Sequence, residues 1–260
     1  MNLKNIANSI INMLGGRETV AKNIEDLAKG LEGQLQKALD DTQDAPQDTA
    51  EEAPQATAPA GTPQQASLTI GGHTYTFRKT SDTTALVTFT HVPASVGEFC
   101  QLYTDLLGKS EYAVPALIPM AMEVYARNQQ EGEQCIATFC TFAARGEMTR
   151  ILKDKFSRPS DPYCQRYLPA ALLQGATPQN AYTPSRPYTV SIGHAANQDE
   201  DSGMYNARHH YLHILGAGWD TQQRGVQVVR ADGADLFQVN GCPATYTSCK
   251  PIRGTWPGLE

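Results

Sequence analysis

An acidic, proline-rich stretch at residues 40–66 separates a short N-terminal segment from the rest of this chain. It reads "DDTQDAPQDTAEEAPQATAPAGTPQQA", with four prolines and no aromatic residue. Such a segment buries too little apolar surface to offset the conformational entropy lost on ordering. Its prolines and like charges favour an extended chain. We therefore predict an N-terminal segment at 1–39, a disordered linker at 40–66 and one folded domain at 67–260, which is long enough for a single hydrophobic core.

The net charge of the chain is concentrated in the linker. The sequence has 27 acidic and 21 basic residues, which gives a net charge of −6. Residues 40–66 hold six of the acids and no Lys or Arg, which leaves 21 residues of each sign elsewhere. Binding to a phosphate backbone usually requires a basic excess. Nucleic acid is therefore not an expected partner.

Residues 1–39 have the apolar spacing of two short helices separated by Gly15–Gly16. The second helix carries an apolar stripe opposite a charged face, so it is amphipathic and must bury its stripe. Self-association, docking on a partner protein and packing on its own domain would each satisfy that need. The balance of bases and acids on the polar face disfavours a membrane-surface helix, which is usually rich in Lys and Arg. The residues predicted to contact a partner are Leu27, Leu31 and Leu35.

The sequence has neither an export signal nor a membrane span. Polar residues interrupt the apolar run in "MNLKNIANSIINMLGG". No stretch of about 18 consecutive apolar residues occurs. We therefore expect a cytoplasmic protein with reduced cysteines. No Cys-x-x-Cys motif is present, and Cys242 and Cys249 would pair only in an exported protein.

The folded domain has strand patterns at both ends. "SLTIGGHTYTFRK" alternates around Gly71–Gly72, a favourable two-residue hairpin turn, and "TTALVTFTHVP" adds a third strand. Strand patterns return in "RPYTVSI", in "RHHYLHIL" and in "RGVQVVRADGADLFQV", which is predicted as a hairpin turning at Asp232–Gly233. We hypothesise that these C-terminal strands pair with the first three in one antiparallel sheet.

Helical spacing of apolar residues occupies the middle of the domain. The pattern predicts four helices and a short fifth around Leu168, with Ser95 and Glu98 as a capping box and a bend at Pro119. Cys135 and Cys140 lie on or near an apolar stripe and are interpreted as small core residues. The order of elements predicts an α+β fold with an N-terminal hairpin, a central helical segment and C-terminal antiparallel strands.

Three of the six histidines lie close together in "NARHHYLHIL", at residues 206–215. In a helix, His209 and His213 would have the i, i+4 spacing of a zinc-binding pair. In a strand they lie about 13 Å apart at roughly 3.3 Å per residue, which is too far for one metal ion, and His210 faces the other side. The segment is short for a stable helix, which favours the strand. The acidic "QDEDSG" stretch upstream is interpreted as a solvated turn.

Nucleotide-binding and hydrolase motifs are absent from the sequence. We therefore predict no catalytic residue, no cofactor and no metal ligand. The alternative is a metal- or thiol-dependent enzyme that uses His209, His210, His213 or a cysteine.

The stretch "GWDTQQRG" is a second candidate binding surface. Trp219 offers a large apolar face, and Asp220 and Arg224 offer polar groups of the kind that anchor protein interfaces. In the alternative interpretation, this is a turn whose tryptophan folds back onto the core.

The segment "LPAALLQGATPQNAYTPSRPYTVSI" resembles an uncharacterised bacterial family, known as domains of unknown function from gut anaerobes. The resemblance rests on a Gly-Ala-Thr-Pro, Asn, Tyr-Thr-Pro and Pro-Tyr pattern, at Gly175–Pro178, Asn180, Tyr182–Pro184 and Pro187–Tyr188. The closing strands and the Cys-Pro pair are similar as well, so that the resemblance covers most of residues 80–255. It implies no catalytic residues.

The predicted function is that of a non-enzymatic protein-interaction module tethered to an N-terminal oligomerisation or docking helix. The amphipathic helix, the linker and the lack of a catalytic motif all favour it.

Overall fold

The computed structural model describes residues 65–156, 165–202, 207–231, 234–252 and 254–259. All of them belong to the compact unit formed by residues 60–260. The N-terminal segment and nearly all of the predicted linker lie outside the described residues, as does the predicted turn at Asp232–Gly233. The first described strand begins at Gln65, two residues before the predicted domain boundary.

Within the described residues, eight antiparallel strands form one sheet. Their bounds are Gln65–Ile70 (β1), His73–Lys79 (β2), Thr84–Phe89 (β3), Tyr188–His194 (β4), Glu200–Ser202 (β5), Ala207–Leu215 (β6), Gln223–Ala231 (β7) and Gln238–Gly241 (β8). The order across the sheet is β1-β2-β3-β4-β6-β7-β8, and β5 pairs with β6. The pairing of β3 with β4, which places Val87 opposite Val190, joins the strands before and after the helices into one sheet. The predicted α+β fold is confirmed.

The predicted hairpin at Gly71–Gly72 forms. Gly71 and Gly72 have φ values of 57° and 85°, and Ile70 pairs with His73. Positive φ at both central residues is the requirement of a type I′ turn, which glycine meets without a steric penalty. Strands β7 and β8 pair antiparallel, with Val228 opposite Val239.

In the described part of the connection between β3 and β4, there are four α-helices. They are Val96–Asp105 (α1), Leu117–Arg127 (α2), Gln129–Phe139 (α3) and Phe142–Phe156 (α4). The Ser95 hydroxyl caps α1 by accepting the N–H of Glu98 at 3.2 Å. Pro119 lies in the first turn of α2, where backbone N–H groups have no helical acceptor, so it costs the helix no hydrogen bond.

The prediction of a short fifth helix around Leu168 is wrong. Only a single 3-10 turn, Ala170–Leu172, forms there. Shortly after it, the N–H of Gln174 donates to the carbonyl of Thr189 at 2.8 Å, which draws the chain onto β4. Leu173 already has extended backbone angles, so the turn does not continue as an α-helix.

The helices and one face of the sheet form the core. Phe77, Phe89 and Val190 on that face are at most 2% exposed, and burial alternates along the central parts of β2, β3 and β4. Cys135 and Cys140 are buried in the core, as predicted. The intervening side chains are at least partly exposed and form a second, polar face of the sheet. No helix in the described ranges is both long and apolar enough to cross a bilayer.

Candidate functional site

The backbone pairing of the sheet is interrupted between β4, β5 and β6. Strand β4 pairs with residues 212–214 of β6, and β5 pairs with residues 207–209. Between these two ladders, the N–H of Ala195 donates to the carbonyl of Tyr211 at 2.8 Å. The N–H of Tyr211 donates to Oδ1 of Asp199 at 2.9 Å. A carboxylate therefore replaces the neighbouring strand at this point of the ladder.

Two histidines converge on the same carboxylate. His194, the last residue of β4, places Nε2 3.0 Å from both oxygens of Asp199. His210, in β6, places Nδ1 3.0 Å from Oδ2. The side chain of Asp199 is only 4% exposed. Burial raises the pKa of this carboxyl, but the hydrogen bonds from Tyr211 and His194 outweigh burial and hold the pKa below its usual value.

The other side of the His194 ring faces a phenol. Nδ1 lies 2.9 Å from the hydroxyl of Tyr112, and that hydroxyl donates its proton to the carbonyl of Asp82 at 2.5 Å. Burial raises the pKa of Tyr112 to about 12, so the phenol keeps its proton near neutral pH. Each nitrogen of the His194 ring therefore faces an oxygen that accepts hydrogen bonds.

The His–Asp–His cluster, defined as His194, Asp199 and His210, is the set of side chains best placed to hold a metal ion. Within the described part of the chain, it is the one group of three His, Cys, Asp or Glu ligand atoms that all lie within 4.8 Å of one another. Two imidazoles and one carboxylate are a donor set found in zinc sites.

A groove of about 650 Å³ lies beside the cluster, on the polar face of the sheet. Its floor includes Gly225, where an added Cβ would meet no atom within 4 Å. His213 lies between two glycines on neighbouring strands, opposite Gly193 in β4 and Gly225 in β7. Its ring covers Gly193, whose added Cβ would lie 2.2 Å from the ring. The groove therefore stays open on the Gly225 side.

A chain of hydrogen bonds braces the groove. Asn240 donates to the Oε1 atom of Gln227 at 2.7 Å, and Gln227 donates to the hydroxyl of Tyr211 at 2.8 Å. Tyr211 donates to Glu200 at 2.6 Å. These side chains come from β5, β6, β7 and β8, so the groove is built on strands rather than on loops.

Neutral side chains line the groove. The described lining residues include no Asp, Glu, Lys or Arg. Burial, followed by the nearby His194, lowers the pKa of His213, so this ring is neutral near pH 7. The lining residues are His194, Ala195, Gln198, Tyr211, Leu212, His213, Thr221, Gln223, Gly225, Val226, Gln227, Gly241, Pro243 and Ala244.

The strand interpretation of "NARHHYLHIL" is confirmed. His210 shares a face with Leu212, and His209 shares the opposite face with His213. His209 is 9% exposed, and neither of its ring nitrogens has a hydrogen-bond partner among the described residues. The structure therefore does not bring His209, His210 and His213 together around one ion.

Of the two interpretations of the "GWDTQQRG" stretch, the second is correct: the tryptophan folds back onto the core. Trp219 is 9% exposed and belongs to the core, with the guanidinium of Arg224 4.9 Å from its ring. Asp220 is exposed and pairs with Lys250 at 2.6 Å. Leu27, Leu31 and Leu35 lie outside the described residues.

The interpretation of "QDEDSG" as a solvated turn is wrong, because Asp199 is buried and Glu200–Ser202 form strand β5. The side chain of Asp201 is 82% exposed, whereas that of Asp199 is buried in the cluster. His194 carries no local signal, because a single histidine at a strand end has no motif. The spacing of the three cluster residues likewise matches no metal-binding pattern that periodicity or motif could detect.

The Gly-Ala-Thr-Pro and Asn pattern forms a turn. Asn180 donates to the carbonyls of Gly175 at 2.7 Å and Thr183 at 3.0 Å, and it accepts the N–H of Thr177 at 2.8 Å. Tyr182 donates to the carbonyl of Lys250 at 2.8 Å, which ties the turn to the C-terminal segment. These residues therefore support the fold and do not form a site.

Fold and site together define an α+β domain with a buried histidine–carboxylate cluster beside a neutral groove. The chain belongs to the family described as Domain of unknown function (DUF6935), whose model matches residues 91–253. This match confirms the resemblance to an uncharacterised domain family. No curated protein and no solved structure matches the chain.

Proposed function

We propose that this protein is a non-enzymatic interaction module whose groove binds an uncharged, polar segment of a partner protein. Residues 1–39 dock or self-associate, and residues 40–66 tether them to the folded domain. A flexible tether raises the effective concentration of the domain near whatever the helix binds.

The chemistry of the groove carries this proposal. Gln198, Gln223 and Gln227 supply amides, and Tyr211 and His213 supply hydrogen-bonding groups without formal charge. Neutral donors and acceptors match peptide amides and polar side chains. They match phosphates poorly, because anion binding relies on Lys, Arg or clustered N–H groups. This argues for a protein partner and against nucleic acid.

The cysteines support a non-enzymatic role and a cytoplasmic location. All five described cysteines are free thiols. Burial raises the pKa of both Cys135 and Cys242 to about 12 and that of Cys249 to about 11. Reactive cysteines have lowered pKa values and accessible thiolates, so these three are poor nucleophiles.

A glycine pair tests the groove. Gly225→Leu places a side chain on the groove floor, and Gly146→Leu places the same side chain in α4, where an added Cβ also meets no atom within 4 Å. The full chain is used to select from a library of displayed peptides, and the dissociation constants of selected peptides are measured by fluorescence polarisation. We expect uncharged, polar peptides whose affinity falls at least about 10-fold with Gly225→Leu, a loss of about 1.4 kcal/mol, and is unchanged with Gly146→Leu. Equal binding by both variants would overturn the groove as the binding site.

A second test addresses the N-terminal segment. Leu27, Leu31 and Leu35 are replaced together by Asp, and the matched control replaces Lys22, Lys29 and Lys37 by Asp. Light scattering on the full chain should give a multimeric mass that the leucine variant loses and the lysine variant keeps. If the wild-type mass is monomeric, capture of a partner must depend on the same leucines. If neither the mass nor the capture of a partner depends on these leucines, the docking role is contradicted.

A further inference from the structure

We propose that His194, Asp199 and His210 bind one divalent transition-metal ion, with zinc as the best match. This goes beyond the interaction function, since metal binding and groove binding can be lost separately. Nε2 of His194, Nδ1 of His210 and one oxygen of Asp199 are the ligand atoms.

The positions of the ligand atoms fit such an ion. In a tetrahedral site with metal–ligand bonds of about 2.0–2.2 Å, neighbouring ligand atoms are about 3.3 Å apart. Here the carboxylate lies 3.0 Å from a nitrogen of each histidine. If the distances between the carboxylate and the two nitrogens increased by a few tenths of an ångström, the ion would fit between them. Three protein ligands leave a fourth position for water, and His194 is also a lining residue of the groove.

The hydrogen bonds on the far side of His194 prepare it as a ligand. The single proton of the Tyr112 hydroxyl goes to the carbonyl of Asp82, so Nδ1 of His194 must donate to the phenol oxygen. In the neutral ring, Nε2 then has a lone pair directed at the carboxylate of Asp199. A metal ion between these two electron-rich groups, which lie 3.0 Å apart, would bind both of them. Zinc-ligating histidines typically donate their other N–H to such a partner, which fixes the tautomer.

The charge around Asp199 favours a metal ion over an arginine. Among the described residues, one guanidinium lies near the buried carboxylate, that of Arg208, with Nε 3.9 Å from Oδ2. The side chain of Arg208 is 57% exposed and also approaches Asp201 at 3.4 Å. It is therefore free to leave the carboxylate when an ion enters.

Calorimetric titration of the untagged, metal-free full chain with zinc chloride tests the proposal. We expect one ion per chain. His194→Gln and Asp199→Asn should each weaken binding by at least about 100-fold, which exceeds the usual effect of an outer partner. Tyr112→Phe keeps the ring but removes the hydroxyl that fixes the tautomer, and it should weaken binding about 10-fold. The control His73→Gln removes an exposed histidine at the start of β2 and should leave the affinity unchanged.

A spectroscopic measurement on the wild-type chain covers the case in which a variant fails to fold. Cobalt chloride replaces zinc, and X-ray absorption and visible spectra report the ligands. Two imidazoles, oxygen ligands and no thiolate-to-cobalt band support the proposal. Thiolate ligation, affinity unchanged in both His194→Gln and Asp199→Asn, or no binding to the wild-type chain would each overturn it.

Discussion

The two sides of strand β4 are held in different ways. On one side, β4 pairs with β3 through six consecutive residues, Tyr188–Gly193. On the other side, it pairs with β6 through only three residues, Ile192–His194. Where that second ladder stops, Asp199 accepts the N–H of Tyr211, and the histidines gather around it. A continuous ladder uses its backbone groups for pairing and its side chains for the core, whereas a gap in the ladder exposes backbone groups that polar side chains then bind.

The largest expected effect on the free energy of unfolding comes from a substitution in β3, on the side of β4 where the ladder is continuous. Phe89 in β3 is fully buried and contacts Tyr75 with ring centroids 5.9 Å apart. Phe89→Ala should lower the free energy of unfolding by about 3–5 kcal/mol, because it removes buried apolar area and leaves a cavity. Thr88→Ala, on the polar face of the same strand, should change it by less than about 0.5 kcal/mol. Urea denaturation measures both, and similar losses would show that the two faces of β3 are not distinct.

The next effect lies at the gap. Asp199→Ala leaves the N–H of Tyr211 and two imidazoles without their acceptor, so we expect a loss of about 2–3 kcal/mol at neutral pH. The folded-state pKa of Asp199 is lowered. Its contribution is therefore present above the ordinary carboxyl pKa near 4 and is lost as pH falls through the folded-state pKa. Asp201→Ala, at an exposed position, is the control in the same urea experiment. Equal stability of the two variants would show that the cluster does not stabilise the protein at the gap in the ladder.

A third effect is confined to acid pH. The pKa of His213 is lowered in the folded protein, mainly by burial. The unfolded chain thus binds more protons, so stability falls as pH drops below about 6.5 towards the folded-state pKa. His213→Gln should make the free energy of unfolding less dependent on pH in that window. Unfolding curves between roughly pH 8 and pH 5 test this, and an unchanged slope would assign the acid sensitivity to another group.

The smallest effect compares the two glycines beside His213. Gly225→Ala should stabilise the domain by about 0.5 kcal/mol, because glycine in a strand loses more backbone entropy on folding. Gly193→Ala should have the opposite sign, since the new Cβ would lie 2.2 Å from the His213 ring. Thermal unfolding measures both variants. A gain in stability for both would show that the ring moves off Gly193 without cost.

Part of the site was accessible from the sequence. The alternation in "RHHYLHIL" predicted that His210 faces away from His209 and His213, and the structure has this arrangement. The sequence missed Asp199, because a run of acidic residues before a strand has the composition of a solvated turn. It also missed His194. Nothing in the sequence near that residue indicates that its ring forms a hydrogen bond with a tyrosine hydroxyl from the segment between α1 and α2.

The sequence by itself determined the local elements. Gly71–Gly72 specified a tight hairpin, and the apolar spacing specified α1 to α4, because these patterns follow from backbone geometry over a few residues. Only the tertiary structure decided that β3 pairs with β4, that Trp219 folds onto the core, and that His194, Asp199 and His210 meet. Those contacts depend on burying one face of the whole sheet against the helices, and many local patterns are compatible with more than one way of doing so.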